Sequence, residues 1–349
     1  MNIQFIENTN KRTRPKQHPK FGEVFTNYMF EAKYDRDQGG WISATVKPFQ
    51  EFSMSPAALC LHYGQTIFEG MKCYKYNNRR VLFRPDRNIA RFNKSAIRMG
   101  MPTIDEKLFM NGLTELIKAE QDEFFYPELE NCYYIRPFMF ANQAILGANE
   151  SSTYTFLIIL SPMQSYYSGE VSLITEKFYS RVAFNGTGEA KNGGNYGASF
   201  YPTAKAEEKG YTQVLWLDPR EHKYIEEAGT MNVFFVVDNK VVTPKANGSI
   251  LQGVTRASVL EIAPELGYES EEQVMSIDDL VEKYKDGRVS EAFSAGTAAS
   301  IQPITSITHN DFKMEFKYDD NSACNKIFNY LDSVRKGTIE DKYGYIVEV

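Results

Sequence analysis

Cysteine is scarce in this 349-residue chain and widely scattered. Its four copies, Cys60, Cys73, Cys132 and Cys324, form no CxxC pair and no zinc-ligand spacing. A chain this long needs no disulfide framework, so a reducing, cytoplasmic compartment is expected. Histidine is as rare: of four, only His62 lies in a suggestive segment, and alone it reads as a hydrogen-bonding residue. No bound metal is expected. No run of 18 apolar residues occurs, and the longest, around Phe156–Leu160, reads as a buried strand. The N-terminus lacks an apolar core, so no secretory signal is expected, and Lys11–Lys16 reads as a frayed basic tail. Positive charge is in deficit, 39 Lys and Arg against 45 Asp and Glu, which argues against nucleic acid as partner. Nucleotide-binding loops are missing too. Lys191 follows Ala190 and precedes Asn192, which breaks a Walker loop, and it stands where a dinucleotide fingerprint from Gly186 needs glycine.

Aromatic residues are plentiful, with 22 Tyr and 24 Phe, which suits enclosed pockets for planar ligands. The length suits about two domains at roughly 150 residues each. Strand-like runs at Val81–Phe83, Tyr133–Phe140 and Tyr154–Leu160 enclose two helix patterns, one capped by Asp86 and one carrying Leu108 to Ile117. This reads as a small α/β domain over 1–162. A linker over 163–176 follows, then a larger domain over 177–349. There, helices at Tyr201–Lys209, Val254–Leu266, Ile277–Tyr284 and Asn321–Arg335 punctuate strands at Gln213–Leu217, Tyr224–Glu227, Asn232–Val237, Val241–Thr243 and Val289–Ser294. The fold class is α+β, with a barrel-like second domain.

The most informative stretch is Glu189-Ala190-Lys191-Asn192-Gly193-Gly194-Asn195-Tyr196-Gly197. One lysine sits between a strand-like aromatic segment (Phe178, Tyr179, Val182, Phe184) and a glycine turn. On a solvated loop it gains nothing from such neighbours. As a desolvated amine attacking an aldehyde it gains a great deal. Three places could hold phosphate: the helix start at Gly253-Val254-Thr255, the small-residue turn Ser294-Ala295-Gly296-Thr297-Ala298, and Arg91, which shares a helix side with Arg87. Glu226 and Glu227 are adjacent on a strand, so only one is expected to be buried, and a buried carboxylate needs a partner such as a protonated pyridine. An amine, a phosphate clamp, a carboxylate for a ring nitrogen and the Tyr196 phenol together fit pyridoxal 5′-phosphate.

These motifs resemble those of the branched-chain amino-acid aminotransferases, fold-type IV enzymes, over nearly the whole chain. The ordered set includes Phe21-Gly22-Glu23, Leu61-His62-Tyr63-Gly64, Phe68-Glu69-Gly70-Met71-Lys72, Phe83-Arg84-Pro85, Tyr134-Ile135-Arg136-Pro137, the Lys191 run, Glu227-Ala228-Gly229-Thr230-Met231-Asn232 and Gly296-Thr297-Ala298. The resemblance implies Lys191 as the Schiff-base lysine. It implies Arg91, Val254, Thr255 and Thr297 at the phosphate, Tyr196 at the phenolic oxygen with Arg181 close by, and Glu227, not Glu226, at the ring nitrogen. Tyr63, Tyr134, Arg136 and the Thr297–Ala298 turn match residues that hold the substrate carboxylate. Phe21, Phe68, Tyr166, Thr230, Leu146 and Ala148 match the side-chain pocket, part of it from a second subunit, which implies a homodimer. The implied substrates are leucine, isoleucine and valine, with 2-oxoglutarate as acceptor and glutamate as product; no membrane partner is implied. Ala299 and Gln302 stand where mammalian relatives carry a CxxC pair, so thiol regulation is not expected. Among fold-type IV cousins, D-amino-acid aminotransferases and aminodeoxychorismate lyases are the alternatives. The Tyr134-Ile135-Arg136 motif and the full-length match favour the branched-chain branch.

Overall fold

The computed structural model describes every residue except 17–19, 121, 123, 127–130, 164–169 and 299. Its contacts divide the chain into two units: Met1–Tyr166 with Ala190–Gly193 and Glu340–Val349, and Tyr167–Glu189 with Gly194–Ile339. Part of the expected linker, and Tyr166 and Ala299, fall outside the described residues.

The first unit is built on one sheet. Its strands are β1 (Gln4–Phe5), β2 (Tyr28–Asp35), β3 (Gly40–Pro48), β4 (Thr66–Phe68), β5 (Met71–Tyr76), β6 (Arg79–Phe83), β7 (Cys132–Ala141), β8 (Thr153–Pro162) and a C-terminal strand, Ile346–Glu348. They run in the order β1-β3-β2-β8-β7-β5-β6 and then the C-terminal strand, with β4 beside β7. The helices are α1 (Leu59–Tyr63), α2 (Pro85–Arg98) and α3 (Glu106–Ala119). Phe92 of α2 and Phe109 of α3 meet Phe156 of β8 with ring centres 5.3 and 5.2 Å apart. Aromatic pairs at such spacing add to the stabilisation from burial. Gly112 lets α3 close on the sheet, since a Cβ there would come within 2.5 Å of the Phe30 ring.

Two sequence expectations need correcting here. Asp86 does not cap α2. The helix begins at Pro85, whose fixed φ suits the first helical position, after Arg84 in the left-handed region at φ 49°. The basic N-terminal segment is not frayed either. Arg12 donates to the carbonyl oxygens of Phe25 and Thr26 at 3.2 and 2.7 Å, and the Arg14 guanidinium lies 4.8 Å from the Tyr126 ring.

The second unit contains β9 (Val171–Thr175), β10 (Gln213–Leu217), β11 (Ile225–Ala228), β12 (Met231–Val237), β13 (Lys240–Pro244), β14 (Glu269–Gln273), β15 (Val289–Gly296), β16 (Ser300–His309) and β17 (Phe312–Glu315). The order β11-β10-β9-β16-β15-β12 closes when β12 pairs back onto β11, making a barrel of six strands. A ring this small is filled by side chains, here Val171, Leu173, Leu215, Val233, Phe235, Ala292 and Ile304 among others. Asp238 and Asn239, at φ 49° and 62°, make the tight turn between β12 and β13. Around the strands lie α4 (Gly193–Gly197), α5 (Phe200–Glu208), α6 (Val254–Ile262), α7 (Ile277–Lys285) and α8 (Ala323–Lys336).

The segment with Phe178, Tyr179, Val182 and Phe184 is not a strand: it is irregular, and Phe178 is 78% exposed. The glycines after Lys191 form the short helix α4 rather than an open turn. Among the described residues no helix is long and apolar enough to cross a membrane.

Candidate active site

Lys191 is held in the first unit by its own backbone. Its N–H donates to Ser95 Oγ on α2 at 2.9 Å, and its carbonyl oxygen accepts from the Phe68 N–H at 3.0 Å. Ser95 in turn donates to the Arg91 carbonyl oxygen at 2.9 Å. The Lys191 ammonium nitrogen lies 4.8 Å from the centre of the Phe68 ring, and the Arg136 guanidinium carbon lies 4.6 Å from that same centre. Arg136 donates to the Tyr134 hydroxyl at 3.0 Å, and Phe21 packs edge-on against Tyr134 with ring centres 4.8 Å apart. Gly70 admits that hydroxyl: any Cβ at position 70 would collide with it.

Glu69 is completely buried beside this group. Its carboxylate accepts Arg91 Nε at 2.7 Å, Arg91 Nη2 at 2.8 Å and Asn88 Nδ2 at 2.9 Å. Burial opposes the charge on Glu69, but Arg91, Lys191 and Asn88 outweigh it and hold the carboxyl below its ordinary range. Arg91 is therefore turned inward, unlike Arg87, whose side chain is 61% exposed. The Lys191 amine is pushed down to about 8, first by burial and then by Arg91, against an upward pull from Glu69. Lys191 as a residue keeps partial exposure, so the loss of hydration falls on the inward-facing amine.

The second unit holds Glu227. Its carboxylate pairs with Arg181 Nε at 2.7 Å and accepts the Leu251 N–H at 2.9 Å and Asn232 Nδ2 at 3.2 Å. Asn232 also donates to the Leu251 carbonyl oxygen at 2.8 Å. It occupies the space a side chain on Gly253 would need. One network thus ties Glu227 to the start of α6, where Gly253 offers no side-chain cap to the N–H groups of Val254 and Thr255. Arg181, Tyr196, Ser199, Glu227 and Thr230 line a small open recess. Tyr196 is presented there by α4, which Asn195 pins by donating to the Thr187 carbonyl oxygen at 2.8 Å. Thr297 and Ala298 lie in the turn between β15 and β16, closed by the pairing of Gly296 with Ser300.

Both neighbouring glutamates are buried, contrary to the expectation of one. Glu226 is 2% and Glu227 3% exposed. The other face of β11 is covered by the 247–249 loop, where Ser249 Oγ and Asn247 Nδ2 both donate to Glu226 Oε1, the latter at 3.2 Å. Burial holds the Glu226 carboxyl above its ordinary range despite these donors.

The expected residues fall into three groups. Lys191, Arg91, Phe21, Phe68, Tyr134 and Arg136 come together in the first unit. Glu227, Arg181, Tyr196 and Thr230 come together in the second, with Val254 and Thr255 tied to them through Asn232. Tyr63 instead donates to the Leu146 carbonyl oxygen at 2.5 Å, and Tyr63, Leu146 and Ala148 are all exposed. Sequence reasoning gave no role to Glu69, Ser95 or Asn232. A glutamate directly after Phe68 and an asparagine in the Glu227 motif were the available signals.

The donor sets fit a phosphorylated pyridine aldehyde. They supply a low-pKa amine for the aldehyde and an acceptor-only carboxylate for the ring nitrogen. An uncapped helix start serves the phosphate. Arg136 Nε, buried without a hydrogen-bond partner, is suited to a substrate carboxylate. A sequence profile of class IV amino-transferases matches residues 66–307. The chain belongs to that class: it is a pyridoxal-phosphate-dependent aminotransferase of fold type IV. It is 45% identical over 335 residues to the probable branched-chain-amino-acid aminotransferase of Staphylococcus epidermidis, covering 94% of this chain and 93% of the relative. It is 41% identical over 345 residues to branched-chain-amino-acid aminotransferase 2 of Bacillus subtilis, covering 96% and 94%. Its fold matches the branched-chain aminotransferase of Thermobaculum terrenum, solved in its pyridoxal-phosphate form, with a TM-score of 0.76 at 23% identity, covering 93% of this chain and 98% of that one.

Proposed function

We propose that the enzyme transfers the amino group of L-leucine, L-isoleucine or L-valine to 2-oxoglutarate, giving the branched 2-oxo acid and L-glutamate. The observation that carries this reading is the Lys191 amine, desolvated against Phe68 and lowered to about 8 beside Arg136 and Tyr134. A neutral amine near physiological pH can both bond an aldehyde carbon and carry a proton.

Pyridoxal phosphate, when bound, supplies a ring that takes up the electron pair left as the substrate Cα–H bond breaks. The rest belongs to this chain's residues. Lys191 would hold the cofactor through its side-chain amine and, with that amine free, would move the substrate Cα proton as general base. Glu227, fixed by Arg181 and Asn232, holds a proton at the ring nitrogen. Tyr196 donates to the phenolic oxygen. Arg91, the Val254 and Thr255 N–H groups and Thr297 hold the phosphate. Arg136, Tyr134, Tyr63 and the Thr297–Ala298 turn orient the substrate carboxylate. By the family resemblance Phe21, Phe68, Thr230, Leu146 and Ala148 would enclose the aliphatic side chain, the last two from the second copy of a homodimer, with Tyr166, outside the described residues, assigned to the same pocket. The cellular setting of this reading is the cytoplasm.

The test is a substrate panel with purified holoenzyme and 2-oxoglutarate. Leucine, isoleucine and valine should each yield glutamate with kcat/KM well above that for aspartate or alanine. Equal kcat/KM for aspartate and leucine would overturn the branched-chain assignment.

A further inference from the structure

We propose that Glu69 is a positioning residue of the active site: its carboxylate clamps one edge of Arg91 and balances that cation's charge beside Lys191. The inference rests on the reading of Lys191 and Arg91 as cofactor ligands and extends it to a residue that reading leaves out. The clamp is side-on and complete. Oε1 takes Arg91 Nε and Oε2 takes Nη2, at 2.7 and 2.8 Å, while Asn88 one helical turn earlier donates to the same Oε2. An arginine gripped through two parallel bonds has a fixed plane. The grip also fixes which edge of the guanidinium faces Glu69.

The same turn of chain holds the lysine. Phe68, next to Glu69, gives its N–H to the Lys191 carbonyl oxygen and its ring to the Lys191 amine. On the other side, α2 carries Asn88, Arg91 and Ser95, the last bonded to the Lys191 N–H. Glu69 is thus the link that locks α2 against the Phe68–Gly70 turn, with Lys191 gripped by both. The charged and titratable groups that act most strongly on the amine are Arg91 from α2, Glu69 from the turn, and Tyr134 and Arg136 from β7. Of these four, Glu69 supplies the carboxylate. Without it the two guanidiniums would weigh more heavily on the amine, and the ammonium form would be further disfavoured.

The test uses the full-length protein stripped of cofactor, so that its outcome does not depend on turnover. Modification of Lys191 by an amine-reactive reagent, followed by peptide mass mapping across pH, reports the midpoint at which the amine loses its proton. Glu69→Gln should lower that midpoint by about one pH unit, because an opposite charge this close is worth roughly 1–3 units. Glu69→Asp keeps the charge and should restore most of it. In parallel, pyridoxal phosphate affinity should fall about tenfold or more in Glu69→Gln and in Arg91→Lys. The double variant should lose little more than either single one, since both break the same clamp. An unchanged Lys191 midpoint in Glu69→Gln, or additive affinity losses, would overturn the proposal. If Glu69→Gln fails to fold, Glu69→Asp alone still decides: a midpoint that falls by a full pH unit although the carboxylate charge is kept would contradict the role. Absence of leucine turnover by the unmutated enzyme would sink the branched-chain reading and leave these results standing.

Discussion

Lys191 is asked to be neutral where lysines are normally charged. Burial and Arg91 disfavour the ammonium, so the amine is largely neutral above pH 8 and protonated below it. Coupling of pyridoxal phosphate to the apo-protein, followed by absorbance, should therefore speed up as pH rises towards about 8 and level off above it. A rate already flat from pH 6 would contradict the environment described. Lys191→Ala should lose at least the 10²- to 10⁴-fold that acid–base catalysis alone contributes, with the circular dichroism spectrum unchanged. Glu227→Gln should also transaminate poorly, because an amide cannot keep a ring nitrogen protonated. Glu226→Gln should be mild in activity but lower stability by about 1 kcal/mol, read by denaturant unfolding, since its bonds to Ser249 and Asn247 are buried. From sequence alone Glu226 looked like a surface residue. Strand alternation says which way a side chain points, and only the fold says what covers that face.

Elements with strong periodicity were legible; those with compromised signals were not. Helix α3 announces itself through Leu108, Leu113, Leu116 and Ile117; the structure adds its cap, Asp105, whose carboxylate accepts the N–H groups of Lys107 and Leu108 at 2.9 and 3.2 Å. Asp105→Ala should cost about 1 kcal/mol of stability, seen as a lower Tm, with activity retained. Strand β16 was missed because Pro303 interrupts it, and proline normally marks an edge or the end of a strand. Strands β2 and β3 were missed because charged residues such as Glu31, Lys33 and Lys47 break up their aromatic runs. Glu31 and Lys47 pair across the two strands at 2.8 Å, a contact visible only once the strands are side by side. At 178–184 aromatic composition imitates a strand, but among the described residues no strand pairs with it. Loop elements carry sharper constraints. A Cβ on Gly188 would lie 2.5 Å from Ser249 Cα, and Arg181 donates to the carbonyl oxygens of both residues.

Across the whole molecule, the motifs that name the family were readable in order along the chain, while the residues that tune them were not. Ser95 and Lys191 stand 96 positions apart, and Glu69 reaches Arg91 across 22. Such pairs exist only after folding. Selectivity belongs to this scale, because under the proposal exposed residues of a second copy would complete the pocket. Each buried methylene is worth roughly 0.8 kcal/mol, so branched side chains should win over alanine, and Ala148→Phe should lower kcat/KM for leucine more than for valine. The central claim is that one lysine carries the cofactor and that its chemistry serves branched-chain amino acids. It is tested most directly by treating the holoenzyme with borohydride, with and without prior leucine, and mapping the peptides by mass spectrometry. The account expects a single pyridoxyl-lysine at Lys191 in the untreated enzyme, and its loss when leucine has first converted the cofactor to its amine form. A label on any other lysine, or one at Lys191 that leucine leaves undiminished, would contradict it.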